Sequence, residues 1–360
     1  MSLIVTIKNR NFTGNLLLPD YQFSVNRYSF SAQGGPQQAE IAVDGEDFDL
    51  WRLVELIRCP IEIRTAGGQM VWWGYIAETQ AHIGGFKVGA TVDTMFNRIA
   101  VAYNEVDETT GDQERGTTEW VDGIISQFDY GVKEMLISNS GSTLEHTEYA
   151  RDVKLKQVQF PQALIIPESN VEKGGLLVCR GWFETLGWKY YQNLGVNLVD
   201  TATQIGTICA SKGQFFASVH VEDISGISIP ETRDGDGTAL YEVLELLKMG
   251  TSNYQRLMAL VDENRNLRIF EEPSDNPFYK LYADGHLEDY YASPVDKQIC
   301  PVGVWARWID VIPPAVDTSL LAEPSKIFIE ESEYDVLADT LTLTPRGMLD
   351  PFNFMEVKDG

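Results

Sequence analysis

The residues that could do chemistry begin with Glu330, Glu331, Glu333 and Asp335. Glycoside cleavage needs one carboxyl group with a raised pKa beside another that stays ionised. Alternation along a strand instead puts Glu331, Glu333 and Asp335 on one face, with Glu330, Ser332 and Tyr334 on the other. That pattern predicts a solvated acidic face and leaves a cell-wall glycosidase or carbohydrate-binding module as the alternative. Asp234, Asp236, Thr238 and Glu245 fall on ligand positions of a calcium-loop template. Ala239 stands where the template's sharp turn needs glycine, and the residues after it follow a helical pattern, so an acidic helix start is the expectation. The histidines, His82, His146, His220 and His286, form no helical metal pair, and no Gly-x-Ser-x-Gly elbow, Walker loop or dinucleotide glycine pattern appears. Cys59, Cys179, Cys209 and Cys300 lack the close spacing of a zinc or redox motif and read as buried free thiols. No catalytic residue, cofactor or metal site is expected.

Aromatic residues and arginine dominate buried protein contacts, so Trp72, Trp73 and Tyr75, together with Arg307 and Trp308, are candidates for a subunit interface. Adjacent Trp72 and Trp73 point to opposite faces of a strand, and a neighbouring subunit is a natural cover for one of them.

The elements that would carry these residues are mostly strands. Alternation marks 21–25, 40–43, 61–64, 70–76 and 86–92, with Gly67-Gly68 and Gly84-Gly85 as turns. One helix interrupts them, spaced by Phe48, Trp51, Leu53, Val54 and Ile57 with Asp47 as its cap. Polar residues 105–116 read as a linker or exposed loop, after which Trp120, Val121, Ile124, Ile125 and Phe128 mark another helix. Residues 138–173 carry no clear pattern. Thr201 and Gln204 have capping-box spacing ahead of a short helix stopped at Gly213. In the next helix, Leu240, Val243, Leu244 and Leu247 form one stripe that leaves Glu242, Glu245 and Lys248 to water, with Thr238 as cap and Gly250 as stop. Two strands follow around the polar turn 262–266. The last strands are expected at 302–312, 327–334 and 340–344.

The order of these blocks resembles the tail-hub proteins of tailed phages, of the kind found in contractile phages, prophages and gene-transfer-agent particles. The resemblance runs through the helix 239–250 and the turn Val261, Asp262, Glu263, Asn264 and Arg265. It includes 180–191, with Arg180, Trp182, Trp188 and Tyr191, then 306–313 around Arg307 and Trp308, and 328–345. It implies a mainly β protein with α+β insertions: two small tail-tube-like β-barrels plus inserted α/β modules. The expected division is an N-terminal barrel with one helix at 1–105, an inserted α/β module at 106–173, and strands and a helix of a second barrel or hub core at 174–237. A helix-hairpin module at 238–300, C-terminal strands at 301–348 and a tail at 349–360 complete it. A short echo of 92–98 in 183–189 would fit duplicated barrels, through which three chains present six similar units to a sixfold tube.

The function so implied is structural: a hub ring in a virion's baseplate or tail tip, self-associating as a homotrimer. Its partners would be a tube or distal-tail ring above and tip or fibre proteins below. DNA would pass through without sequence-specific binding, past a lumen lined by Glu331, Glu333 and Asp335. A sixfold distal-tail ring protein is the nearest alternative. The charge balance agrees, because 28 basic against 53 acidic residues give a formal net charge of -25, which repels phosphate. No run approaches the roughly 18 apolar residues of a membrane span. The first residues lack a basic leader, so assembly in a reducing host cytoplasm is expected.

Overall fold

The structure, a computed structural model, describes residues 3–106, 113–140, 143–167, 173–274, 278–282, 284–309, 321–324, 327–346 and 355–357. It is mainly β, with one fourteen-strand sheet curled into a half-barrel and smaller α/β modules beside it. The sheet is built from three distant parts of the chain. Leu3–Ile7, Pro60–Thr65 and Met70–Ile83 form an antiparallel series, and Gly35–Asp44 pairs with Gln22–Ser31. Gly174–Arg180 closes the gap between these two groups, with Cys179 opposite Ile76 on one side and Ala39 on the other. On the far side of Gln22–Ser31 lies Ile327–Asp335, which also pairs with Val304–Ile309 and Thr340–Pro345. Strands of the expected N-terminal barrel and the expected C-terminal strands therefore share one sheet, with Ser29 opposite Glu333.

Gly74 makes the central pairing possible. A Cβ there would sit 2.2 Å from the Arg180 carbonyl oxygen, so any larger residue pushes Gly174–Arg180 away.

Met70–Ile83 is a wall between two cores. Trp72 and Ile76 face the half-barrel interior with Ile41, Ile61, Ile63 and Leu177, closed over by Leu50, Leu53 and Leu56. That cover comes from the short helix Asp47–Trp51 and the 3-10 turn Arg52–Leu56. The helix's N-cap is Glu46 and carries no side-chain cap bond, so the expected Asp47 cap is corrected. On the opposite face Tyr75 and Ala77 join a second core with Trp182, Phe183, Leu186 and Trp188.

The second core belongs to an α/β module. Helices Thr201–Lys212 and Ala239–Met249 pack on a three-strand sheet of Ser218–Val221, Asn266–Glu271 and Leu257–Val261. The first helix is capped by Asp200, whose carboxylate accepts from the Thr203 N–H at 3.0 Å. Gln204 donates to the Val199 and Ile229 carbonyls, so the capping box expected from Thr201 does not form. Thr238 does cap the second helix, and Gly250 ends it with φ +72°. Its buried stripe is rotated from expectation: Ala239, Glu242, Val243, Leu246 and Leu247 are buried, because Glu242 pairs with Arg233 at 2.8 Å. The module docks on the sheet through Gly34, whose N–H donates to the Ala259 carbonyl at 2.7 Å and whose φ of +94° suits glycine.

A third unit fills the chain between Phe86–Thr91 and Gly174–Arg180. Arg98–Val106 pairs in parallel with Glu134–Ser140 and antiparallel with Gln113–Thr117, so the expected loop 105–116 is partly a hairpin. Helix Leu144–Val158 and strand Gln162–Pro167 lie where the sequence shows no pattern. The echo segments differ in backbone: 92–97 is a turn and Trp182–Trp188 a 3-10 helix. Asp93 of the first segment pairs with Arg180, which ends the strand ahead of the second, at 2.9 Å.

Candidate assembly surface and acidic face

The acidic face stands where alternation puts it. Along Ile327–Asp335, Glu331 and Glu333 are exposed and Asp335 is half-buried, while Ser332 and Tyr334 are buried. Across the ladder they oppose Thr344, Thr342 and Thr340, all exposed, and on the other side Ser31, Ser29 and Arg27. Arg27 reaches Glu40 at 2.5 Å and Glu333 at 3.9 Å, so one cation serves two acids. Glu330 lies apart. It is clamped by Arg256 and Arg346, and the hydrogen bond from Arg256 leads the causes that hold its carboxyl below the usual range. A general acid needs the opposite shift, so Glu330 acts as a tie between the C-terminal strand and the α/β module.

The five interface candidates separate. Trp72 is fully buried and Tyr75 is 1% exposed, each inside a core of its own chain, so neither offers surface for a neighbour. The covering that the sequence assigns to another subunit comes from other residues of this same chain. Trp73 is half-buried on the second face and its Nε1 donates to the Val261 carbonyl at 3.2 Å. Arg307 is half-buried with its guanidinium 5.7 Å from the Phe278 ring centre. Trp308 sits opposite Leu281 in the ladder, and its side chain lies outside the described residues.

Large apolar surface occurs instead in the inserted unit. The expected helix begins at Ile124, after the short strand Val121–Asp122, and Ile124–Tyr130 exposes Ile124 at 75%, Ile125 at 72% and Phe128 at 89%. Ser126 is the buried residue of that helix, bonded to the Gln159 carbonyl and to Asn97 Nδ2. Nearby in sequence, all six residues of Gln162–Pro167 are exposed, Leu164, Ile165 and Ile166 among them. Among the described residues this strand pairs only with Phe86–Thr91, so one edge presents unpaired backbone. The run Leu164-Ile165-Ile166 is the signal that sequence reasoning passed over.

A buried cation marks the junction between the inserted unit and the rest. Lys133 Nζ donates to the Val92 carbonyl at 2.7 Å and the Asp93 carbonyl at 3.1 Å, beside the Phe96 and Trp188 rings. Burial pushes its ammonium pKa down to about 8. Burial likewise raises all four cysteine thiols, Cys300 to about 12, as inert interior groups.

Among the described residues no group of three or more His, Cys, Asp or Glu is placed to hold a metal ion, and no helix is long and apolar enough to cross a membrane. Asp234 and Asp236 lie on the strand Arg233–Thr238, and Asp236 pairs with Arg115 at 2.8 Å.

No family model matches the chain, and no curated protein does. Solved structures similar to it include a tail protein from Neisseria meningitidis, with TM-score 0.41 and 8% identity over 96% of each chain. The 43 kDa tail protein of prophage MuSo2 from Shewanella oneidensis gives 0.40 and 8% over 98% of each chain. A prophage tail protein from Listeria monocytogenes gives 0.35 and 8%, over 97% of this chain and 96% of that one.

Proposed function

We propose that this chain is a structural virion protein, a hub ring at the tip of a phage-like tail, in which copies close side by side around an open axis. The observation that carries the reading is the Gln162–Pro167 strand, paired on one side and exposed along its whole length. An apolar edge of this kind pairs with another chain unless something covers it. The exposed Ile124, Ile125 and Phe128 add apolar surface on the same inserted unit. The order of residue blocks, which resembles that of tail-hub proteins, supports the hub position and a homotrimer, with tube or distal-tail proteins above and tip or fibre proteins below. Trp73, Arg307 and Trp308 remain interface candidates where copies meet.

The acidic, threonine-bordered face of Glu331, Glu333 and Asp335 would line the opening. A carboxylate wall holds no phosphate, so DNA slides past without adhering. Mass photometry of the purified chain at micromolar concentration tests the assembly. A trimer or a larger ring is expected, with an opening in negative-stain images of the same sample, and a count of six would favour the distal-tail ring. A strict monomer without an opening, taking up no tail partner, overturns both.

A further inference from the structure

A cleft of about 600 Å³ lies between the inserted unit and the two-strand antiparallel sheet of Tyr190–Asn193 and Arg233–Thr238. Two bonds join its walls. The Glu134 carboxylate accepts from the Tyr190 N–H at 2.7 Å, and Arg115 pairs with Asp236 at 2.8 Å. Arg98 donates to Glu134 at 3.0 Å and lies over the Trp120 ring at 5.4 Å. These contacts fix the opening while leaving a volume within the range of small-molecule sites.

Charge narrows what the cleft can take. Arg98, Arg115 and Lys212 on its lining are matched by Glu134, Asp234 and Asp236. Three cations against three acids sum to zero, in a chain whose net charge is -25. The lining favours neither a polyanion nor a polycation, yet it offers donors and acceptors together, with the exposed Gln192 supplying both. The aromatic part has a matching shape. Trp120 and Tyr190 stand 6.3 Å apart with their rings tilted by 39°, a bent apolar wall instead of a closed stack. Aromatic faces carry partial negative charge, and the C–H face of a pyranose ring carries partial positive charge, so the two pack together. A ligand rich in hydroxyls with an apolar C–H face satisfies every part of this lining.

We propose that this cleft binds a short neutral oligosaccharide, with Trp120 and Tyr190 packing against a sugar ring and Asp234, Gln192 and Arg115 bonding its hydroxyls. The proposal is of binding, with Glu134 held by Arg98 and the Tyr190 N–H as part of the wall. The inference does not rest on the ring assembly, since a monomer with an occupied cleft would sink that reading and leave this one standing.

The test is isothermal titration of the full chain with chitotriose, maltotriose and cellotriose, and with a single-stranded oligothymidylate as the polyanion. At least one saccharide is expected to bind, with affinity falling about tenfold or more in Trp120→Ala. Asp234→Ala, exposed and outside both wall-joining bonds, should weaken the same saccharide several-fold with an unchanged melting curve, so the test survives a misfolded tryptophan variant. The proposal is overturned if no saccharide binds at millimolar concentration, if binding persists in both variants, or if the oligothymidylate alone binds and loses its affinity in Asp234→Ala and Trp120→Ala.

Discussion

Met70–Ile83 and the inserted unit carry similar apolar residues with opposite fates. Trp72, Tyr75 and Ile76 are at most 1% exposed because other segments of the same chain cover both faces of their strand. Ile124, Phe128, Leu164 and Ile165 are more than half exposed, and nothing among the described residues covers them. A side chain's type says what it needs, while the topology decides who supplies it. In the first region the supplier is the same chain, through Leu53 on one face and Trp182 and Trp188 on the other. In the second no supplier stands among the described residues, and the two regions should answer mutation differently.

The sharpest contrast comes from Trp72→Ala. Its large cavity in a core already filled by Ile41, Ile61 and Leu177 should cost about 3–5 kcal/mol of the chain's own stability, read as a lower urea midpoint. A loss under about 1 kcal/mol would mean that this wall is not self-supporting.

Lys133 gives the next largest effect and lies at the seam between the regions. Its folded pKa of about 8 is below the ordinary 10.5, so between these values the unfolded chain binds the proton that the folded chain has released. Stability contributed by this group therefore rises with pH across that window, by about 3 kcal/mol if the whole shift is expressed. The buried thiols of Cys179 and Cys209 run the other way, because the unfolded chain ionises them first once pH passes 9. Subtracting the pH profile of Lys133→Met from that of the native chain isolates the lysine. The difference should grow from pH 8 to 10.5, and a flat difference would place Lys133 in contact with water.

Ile165→Glu tests the uncovered side. In an isolated chain this exposed position should change stability by no more than about 0.5 kcal/mol, while the assembled species in mass photometry should fall to monomer. Unchanged assembly would move the interface away from the Gln162–Pro167 edge.

What was legible in the sequence follows the range of the interactions. Alternation identified the strands near 21–25, 40–43, 61–64, 70–76 and 86–92 and correctly divided Glu331 and Glu333 from Ser332 and Tyr334, because period two is a local property. Thr238 and Gly250 were legible as cap and stop for the same reason. The buried stripe of that helix was misread at Glu242 because its partner, Arg233, lies outside the helix. The pairing of Gly174–Arg180 between Met70–Ile83 and Gly35–Asp44 has no local signature at all. For the candidate surface, residue types pointed to Trp72 and Tyr75, whose cover comes from residues near 53, 182 and 188, a relation that only the fold reveals.

The effect on the chain itself is again small at the acidic face, where the consequence lies in the ring. Glu331 and Glu333 are exposed, and the pair from Glu333 to Arg27 at 3.9 Å is loose. Replacing both glutamates by lysine should therefore change stability by less than about 1 kcal/mol. In a closed assembly, however, each copy repeats the reversal around one opening, and closely spaced cations collect phosphate where single ones do not. The double variant should retain duplex DNA at low salt and release it as ionic strength rises, because each phosphate contact frees counterions whose return is favoured by added salt. The native ring should show no retention at either extreme. If the reversed ring assembles and still lets DNA pass unretained at low salt, these acids face outward, and the opening must be lined by another part of the curled sheet.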